Sequence, residues 1–314
     1  MKSSTEKILI SIVMPAYNSG NTISGSIQSV LSQTYSKWEL LVVIDGSTDD
    51  TLEKVFSFND DRIKSINQEN QGVSAARNNG VRNASGKYIA FLDSDDVWHE
   101  TFLETIIHLM GECPDCVCYA TNYYFVNQDK KRRLPVICGL KTNIPYQCVP
   151  NYIDILCISD PIFFTSCIVI HKQTFFSIGG FSTDIKGGED TLLWIKFSLI
   201  GKIAYASIPL CDYMLPPPGV RKIRTSEFKD NVANELMLLI DKYPKQSKSL
   251  YHFLSHWYKI RSSTYLQHGD NKLARKYALK AYKNSKAKNK LIIYLFLSLF
   301  PSKISKPLFI SLLK

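Results

Sequence analysis

Apolar runs alternate with amphipathic segments from the N-terminal region of the chain up to Met110. The runs are four to eight residues long and rich in β-branched and aliphatic side chains, which predicts buried strands. In the segments between them, apolar residues return at spacings of three and four, which predicts helices. Strands alternating with helices predict an α/β fold with a largely parallel sheet. The predicted strands are residues 8–15, 38–45, 62–67 and 87–93, and the predicted helices are residues 21–33, 47–58, 72–84 and 99–110.

The pattern is less regular from residue 115 to residue 214. A strand is predicted at residues 163–171 and another at residues 202–207. Before the second strand, Gly187 and Gly188 predict a turn that leads into a helix opening with Glu189 and Asp190. Apolar residues at helical spacing predict an all-helical region from residue 226 onward.

The charge of +10 is unevenly distributed along the 314 residues. From Arg221 onward there are 20 Lys and Arg against 5 Asp and Glu, whereas the part of the chain before Arg221 holds 18 basic and 23 acidic side chains. This difference predicts two regions with different roles. We divide them as residues 1–218 and residues 219–314, the second being a basic helical tail.

Several classes of protein are disfavoured by the sequence. No stretch reaches the roughly 18 apolar residues of a membrane span, and the apolar run near the N-terminus is interrupted by Glu6, which indicates a cytosolic start. Cys113 and Cys116 form a C-x-x-C pair, but no second pair lies at zinc-ribbon spacing. Buried, reduced thiols are favoured over a metal or redox site.

Polar clusters follow three of the predicted strands. They are PAYN at residues 15–18, DGSTDD at residues 45–50 and DSDD at residues 93–96. Ligands of open α/β sheets bind beyond the carboxyl ends of the strands, so the clusters are expected to form one site.

The DSDD cluster has two interpretations. Carboxylates at a strand end are suitable ligands for Mg²⁺ or Mn²⁺, ions that are usually shared with a diphosphate. Alternatively, Asp95 or Asp96 caps the helix that follows.

Four further residues are candidates, each with a structural alternative. Asp45 is placed to bind a nucleotide base or ribose, or else to form a turn. Tyr17 can stack on a flat ring or belong to the core. Arg77 can reach a phosphate or brace a carboxylate. Asp190 can act as a general base, although as an isolated residue it is better explained by the helix dipole.

Five motifs in order resemble the family 2 glycosyltransferases, which have the nucleotide-sugar-binding fold called GT-A. The resemblance runs from Ile8 to Tyr213 and implies a bacterial enzyme of surface-polysaccharide synthesis, with residues 1–218 as its GT-A nucleotide-sugar-binding and catalytic domain. The motifs are SIVMPAYNSGNTISGSIQSVLSQTY, ELLVVIDGSTDDT, NQGVSAARNNGVRNASGKYIAFLDSDD, GGF with its preceding strand, and GGEDTLLWIK.

The resemblance implies a role for each matching position. Asp190 corresponds to the catalytic base, and Glu189 and Trp194 fall on the acceptor side. Asp93 and Asp95 correspond to the DxD pair that holds Mn²⁺ or Mg²⁺, with Asp96 in or beside the same shell. The donor-binding positions are Pro15, Ala16, Tyr17, Asp45, Arg77, Ser94 and Asp95. Many members have aspartate where this chain has Ile44, which puts the bracing of that loop in doubt.

The predicted activity is metal-dependent, inverting transfer of a sugar from a UDP-sugar to a hydroxyl. A cation neutralises the leaving diphosphate, a single base activates the acceptor, and direct displacement inverts the anomeric centre. A saccharide linked to polyprenyl diphosphate is the acceptor that the family suggests.

The tail can serve either of two purposes. Its charge and two short apolar segments near the C-terminus favour peripheral binding to an anionic membrane, on the inner face of the cell membrane, with no nucleic acid expected. The alternative is a catalytically inactive domain whose tail binds nucleic acid or a protein partner. Four aromatic side chains between the basic residues fit that alternative loosely, namely Tyr251, Trp257, Tyr258 and Tyr265.

Overall fold

The computed structural model describes residues 8–141, 144–216, 230–284 and 288–312. The chain divides into two compact units, residues 1–155 with 159–217 and residues 156–158 with 218–314. The predicted domain boundary at residues 218 and 219 lies outside the described residues.

The first unit is built on a mixed sheet, whose strands we number in chain order. They are β1 (Ile10–Ala16), β2 (Trp38–Asp45), β3 (Ile63–Gln68), β4 (Tyr88–Phe91), β5 (Val97–Trp98), β6 (Cys116–Val126), β7 (Arg132–Arg133), β8 (Tyr146–Cys148), β9 (Ile168–His171) and β10 (Lys202–Met214). The main path of the sheet runs β3-β2-β1-β4-β9-β6-β10-β5, while β7 pairs with β6 and β8 pairs with β10.

The helices of the first unit connect these strands. They are α1 (Ile23–Leu31), α2 (Thr51–Phe56), α3 (Val73–Asn83), α4 (Phe102–Glu112), α5 (Tyr152–Leu156), α6 (Lys172–Ser177) and α7 (Glu189–Ile200). The eight elements predicted up to Met110 are all present with small differences at their ends, which confirms the α/β prediction.

The parallel part of the sheet consists of β3, β2, β1 and β4. Every residue of β1 and β2 is buried, as expected for strands covered on both faces. Beyond β4 the sheet becomes mixed, because β9 is antiparallel to both β4 and β6. Parallel pairing returns between β6 and β10, the two longest strands described.

Helix α3 packs unusually close to the parallel strands. A Cβ placed on Gly80 would lie 2.4 Å from a methyl group of Val13 and 3.2 Å from one of Val43. Glycine at this position therefore allows the helix to approach β1 and β2 and fixes the distance between α3 and the sheet.

The second unit is helical among its described residues. Its helices are α8 (Asn231–Lys242), α9 (Ser247–His268), α10 (Asn271–Asn284), α11 (Lys288–Leu297) and α12 (Ser302–Leu312). The prediction of a helical tail is confirmed, although the predicted start of its first helix, residues 226–229, lies outside the described residues. None of the described helices combines the length and apolarity that a bilayer span requires.

The aromatic side chains of the tail belong mainly to its core. Tyr258 and Tyr265 are 7 % and 1 % exposed, and the ring of Tyr265 stacks on Tyr277 at 5.5 Å between centroids. The indole of Trp257 donates a hydrogen bond to Asp230. Of the four aromatic residues considered for nucleic-acid stacking, Tyr251 is the exposed one, so this packing favours the core interpretation.

Candidate active site

The candidate site lies where β1 and β4 end, and the DGSTDD cluster after β2 does not line it. A cavity of about 390 Å³ opens there, formed by the loop after β1, the start of α3 and the turn after β4. Its lining residues are Pro15, Tyr17, Asn18, Ser19, Thr22, Val73, Arg77, Asp93, Ser94 and Asp95. Six of the predicted donor-binding and metal residues thus come together, from Pro15 on the first strand to Asp95 after the fourth, as the strand-end rule leads us to expect.

The loop after β1 is fixed by hydrogen bonds to the loop after β2. The backbone N–H of Asn18 donates to Ser47 Oγ at 3.1 Å, and Asn18 Oδ1 accepts from the N–H of Thr48 at 2.8 Å. Asn18 has a positive φ of 49°, which asparagine tolerates better than most residues. These contacts hold Tyr17 with 54 % of its surface exposed beside the cavity, so its ring is available for stacking.

Asp45 is buried at the end of β2 and does not line the cavity. Its carboxylate accepts hydrogen bonds from Gln68 Nε2 and from the N–H groups of Gln71 and Gly72, at 2.7 to 2.8 Å. These bonds order the segment that leads into α3. In this structure Asp45 therefore has the structural role of a loop brace, and its role at the base or ribose stays a prediction.

Arg77 forms a short ion pair with Asp93. The Nη2···Oδ1 distance is 2.6 Å, and the guanidinium is almost completely buried. Burial opposes the charge of Arg77, but Asp93, followed by Asp190 and Glu189, raises its pKa above the ordinary value. Arg77 therefore connects the predicted metal ligand Asp93 electrostatically with the predicted catalytic base Asp190.

The three aspartates after β4 have different environments. Asp93 is half-buried and paired with Arg77. Asp95 is exposed on the cavity, yet partial burial of its carboxyl group and the charge of Asp93 raise its pKa. Asp96 is 1 % exposed, and it accepts hydrogen bonds from Ser166 Oγ and the N–H of Met214.

Asp96 is consequently a structural residue here. Its bonds join the turn after β4 to two distant segments, and its carboxylate is not among those lining the cavity. Its two partners, Ser166 and Met214, lie far along the chain, and no local pattern indicates them. The expectation that Asp96 lies in or beside a metal shell stays a prediction.

The fit of a divalent cation depends on Asp95. Asp95 is exposed and lines the cavity. Among the described residues, no group of three or more His, Cys, Asp or Glu side chains is arranged to hold a metal. A Mg²⁺ ion usually takes one or two carboxylates and completes its shell with substrate phosphates and water, so Asp95 and Asp93 fit this mode.

Glu189 and Asp190 begin α7 directly after Gly187 and Gly188, whose φ angles are 105° and 87°. Asp190 accepts hydrogen bonds from the backbone and side chain of Thr191. Burial and the neighbouring charge of Asp190 raise the pKa of Glu189. Both acids are half-buried and neither lines the cavity, so they lie apart from the donor-binding residues while still influencing Arg77.

Trp194 and Ala16 are buried, with 2 % and 1 % of their surfaces exposed. The indole of Trp194 lies within an aromatic cluster, with ring centroids 5.8 to 6.2 Å away, formed by Phe91, Phe163, Phe181 and Phe197. Its observed contacts are those of a core residue, and its acceptor-side role stays a prediction.

Four cavity residues are absent from the sequence-based candidates, namely Asn18, Ser19, Thr22 and Val73. Ser19 shares a hydrogen bond of 2.7 Å with Ser94 and so ties the first loop to the DSDD turn. The signal available in sequence was the position of Asn18, Ser19 and Thr22 directly after PAY, within the first motif.

Comparison with known proteins identifies the family. The sequence model described as glycosyl transferase family 2 matches residues 11–175. The chain is 48 % identical over 122 residues to the Escherichia coli protein WfgD, a UDP-Glc:α-D-GlcNAc-diphosphoundecaprenol β-1,3-glucosyltransferase. The match covers 38 % of this chain and 48 % of WfgD.

A second E. coli relative, WfaP, has the same described activity. It is 37 % identical over 192 residues, which cover 60 % of this chain and 69 % of WfaP. An uncharacterized glycosyltransferase of Rickettsia conorii is 37 % identical over 190 residues, which cover 60 % of this chain and 30 % of that protein. The chain thus spans about half or less of WfgD and the rickettsial relative.

The fold also has counterparts among solved structures. The crystal structure of Staphylococcus aureus TarS 1–349 in complex with UDP-GlcNAc superposes with a TM-score of 0.68 at 17 % identity, covering 95 % of this chain and 88 % of that one. At this identity the likeness concerns the fold alone, and it confirms the GT-A-type fold expected from the motifs.

Proposed function

Because the chain belongs to glycosyltransferase family 2, we propose that it transfers a sugar from a UDP-sugar to a hydroxyl group of a saccharide carried on a polyprenyl diphosphate. The observation that carries this proposal is the cavity where Pro15, Tyr17, Arg77, Asp93 and Asp95 converge. Two relatives described as glucosyltransferases acting on diphosphoundecaprenol-linked GlcNAc support UDP-glucose as the first donor to test. Synthesis of a surface polysaccharide is the corresponding process.

The donor half of the reaction is assigned to the cavity. Tyr17 stacks on the uracil ring, and Pro15 and Ser94 border the nucleotide. Asp95 and Asp93 would hold Mg²⁺ or Mn²⁺, which would supply positive charge opposite the departing diphosphate. Arg77 holds Asp93 in position through the 2.6 Å ion pair.

The acceptor half is assigned to the start of α7. Asp190 takes the proton of the attacking hydroxyl, and Glu189 lies beside it on the acceptor side. Direct attack by that hydroxyl on the sugar carbon inverts its configuration, so an α-linked donor gives a β-linked product. The β-1,3 linkage in the described activity of the two relatives agrees with this stereochemistry.

The first test is thermal unfolding of the full chain with UDP, GDP, CDP and ADP, each with and without Mn²⁺. A ligand present at 100 times its dissociation constant stabilises the folded state by about 2.7 kcal/mol. In a unit of about 200 residues this is expected to raise the unfolding midpoint by roughly 5 °C or more. We expect that shift with UDP and Mn²⁺ together.

The comparison among nucleotides is the internal control of this test. Equal shifts with all four would indicate a general phosphate effect and contradict recognition of uracil. The absence of a shift with every nucleotide would contradict the enzymatic proposal and favour a catalytically inactive domain with a binding tail.

We also propose that the basic tail binds an anionic membrane surface. Eight apolar side chains of α11, α12 and their connection are at least 39 % exposed, and Lys303 and Lys306 are exposed on α12. Apolar groups that enter the headgroup region, together with lysines near anionic lipid, are the features of an interfacial helix. The apolar set is Ile292, Ile293, Phe296, Leu299, Ile304, Leu308, Ile310 and Leu312.

Vesicle binding tests this second proposal. The chain is expected to sediment with vesicles containing phosphatidylglycerol and to remain in solution with phosphatidylcholine alone. Phe296→Ser/Leu299→Ser is expected to weaken binding by about 100-fold or more, because burial of each of the two side chains contributes about 1.5–3 kcal/mol and about 1.4 kcal/mol corresponds to a factor of ten. Leu238→Ser, an equally exposed leucine on α8, is the matched control. Equal binding by both variants, or binding to RNA in place of vesicles, would contradict the proposal.

A further inference from the structure

Three cysteine thiols come together at the edge of the first unit. Cys113 and Cys116 form the C-x-x-C sequence, in which Cys113 follows α4 and Cys116 begins β6, and Cys148 is the last residue of β8. The Sγ atom of Cys148 lies 3.8 Å from that of Cys116 and 3.8 Å from that of Cys113. The third thiol comes from a distant part of the sequence, which is why the C-x-x-C pair alone predicted only buried thiols.

The strand pairing of the sheet determines where Cys116 and Cys148 lie. Strand β10 pairs with β6 on one side, where Lys202 is opposite Cys116, and with β8 on the other, where Ala204 is opposite Cys148. The two cysteines therefore flank the beginning of the same strand. Backbone pairing fixes the two strands on either side of β10, and the side chains of Cys116 and Cys148 reach the 3.8 Å separation across its first residues.

The three thiols differ in their access to solvent. Cys148 is exposed, Cys113 is half-buried and Cys116 is buried. Burial, with the neighbouring Cys148, raises the pKa of Cys113, and it raises the pKa of Cys116 to about 12. The two residues of the C-x-x-C sequence are thus held as thiols at neutral pH, and Cys148 is the thiol that a reagent in solution reaches first.

We propose that Cys148 is a site of reversible oxidation, which forms a disulfide with Cys113 or Cys116 when a small-molecule disulfide such as oxidised glutathione is present. A disulfide bond is about 2.05 Å long, so closure requires the two sulfur atoms to approach by less than about 2 Å. For Cys113 this is within reach of side-chain rotation and a shift of the C-x-x-C turn, whereas Cys116, on a strand across β10 from Cys148, also requires the first residues of β6 to move.

The chemistry is thiol–disulfide exchange. The thiolate of Cys148 attacks one sulfur of oxidised glutathione, forming a mixed disulfide and releasing one glutathione thiolate. The sulfur of Cys113 or Cys116, after losing its proton, then attacks Cys148 and releases the second glutathione. The two protein thiols are oxidised, one small disulfide is reduced to two thiols, and the two protons from the protein are taken up by the two glutathione thiolates.

The consequence is a covalent link between β8 and the turn that precedes β6. None of the three cysteines lines the nucleotide cavity, so the oxidised chain is expected to keep its response to UDP and Mn²⁺. The link joins cysteines far apart in sequence, and by restricting the unfolded chain it is expected to raise the unfolding midpoint by a few degrees. The inference goes beyond the proposed function, and its failure leaves that function unaffected.

The experiment is titration of the full chain with oxidised glutathione, followed by alkylation of the remaining thiols and mass spectrometry. The expected product has lost two alkylatable thiols and two mass units, and its peptide map joins Cys148 to Cys113 or Cys116. The single variants Cys113→Ser and Cys116→Ser are each expected to keep a disulfide, because the other partner remains. Cys148→Ser and the double variant Cys113→Ser/Cys116→Ser are expected to lose it.

Cys138→Ser is the matched control, since Cys138 is also exposed and lies outside the cluster. This variant is expected to oxidise as the unmodified chain does. Loss of two thiols in Cys148→Ser would assign the oxidation to the C-x-x-C pair and overturn the proposal. Retention of all thiols, or stoichiometric Zn²⁺ binding that requires Cys148 and prevents oxidation, would overturn it as well.

Discussion

Asp95→Ala is expected to lower the rate of sugar transfer by about 1,000-fold and to remove the Mn²⁺-dependent part of the thermal shift with UDP. Stabilisation of the leaving diphosphate by a bound cation contributes several kcal/mol, and a barrier change of about 1.4 kcal/mol corresponds to a factor of ten in rate. Asp95 is the DSDD residue whose carboxylate is exposed on the cavity, free of the Arg77 pairing of Asp93 and of the buried bonds of Asp96. Transfer from UDP-glucose to a synthetic GlcNAc-diphospholipid is the activity to measure.

The fold of the Asp95→Ala variant is expected to be unaffected. The substitution removes a like charge beside Asp93, so the midpoint without ligand is expected to stay the same or rise slightly. Asp61→Ala, at an exposed position away from the cavity, controls for the loss of one acidic side chain. Unchanged transfer by Asp95→Ala in a folded chain would contradict the metal-binding role.

The same carboxylate predicts the direction of a pH effect. Partial burial and Asp93 raise the pKa of Asp95, so protons compete with the cation at a higher pH than at an ordinary aspartate. The thermal shift with UDP and Mn²⁺ is therefore expected to decline as the pH falls through this raised pKa. Raising the Mn²⁺ concentration is expected to move the decline to lower pH.

Asp190→Asn is expected to reduce kcat by a factor of about 100 to 10,000, the usual contribution of a positioned general base. The thermal shift with UDP and Mn²⁺ is expected to remain, because Asp190 does not line the cavity. Asparagine has the same shape and can still accept a hydrogen bond from the N–H of Thr191, so the start of α7 is expected to stay intact.

The contrast with Asp95→Ala separates the two halves of the mechanism. Loss of both transfer and nucleotide binding in Asp190→Asn would indicate a structural effect through Arg77, whose pKa depends on Asp190. Full activity would contradict the catalytic role. Asp115→Asn, at an exposed position, is the control for an amide substitution.

The elements that the sequence predicted best are those with nearly continuous apolar runs. Strands β1 and β2 are buried on both faces, and their sequences are therefore mostly apolar at successive positions. The central strand β6 was not predicted, because its sequence CVCYATNYYFV mixes buried polar and aromatic residues without a clear period. Its conformation depends on pairing with β9 and β10, which follow it only from Ile168 onward.

For the candidate site, the sequence predicted the location of the cavity but not the contacts of each residue within it. The meeting of the ends of β1 and β4 follows from a general rule of α/β sheets, so the cavity could be anticipated, although the cluster after β2 was expected to line it and does not. The different environments of Asp93, Asp95 and Asp96 could not be predicted from the sequence. They depend on contacts with Arg77, Ser166 and the backbone of Met214. The same limit applies to Cys148, whose partners are set by the register of β8 on β10.

The buried guanidinium of Arg77 has a consequence for the order of binding. Four acidic side chains act around this cation, so the site carries surplus negative charge before any ligand arrives. A UDP-sugar is itself an anion. We expect its affinity to be low in the absence of a divalent cation and high in its presence. By thermodynamic reciprocity the nucleotide must strengthen cation binding by the same factor, so the two ligands behave as a single cooperative unit. The four acids are Asp93, Asp95, Glu189 and Asp190.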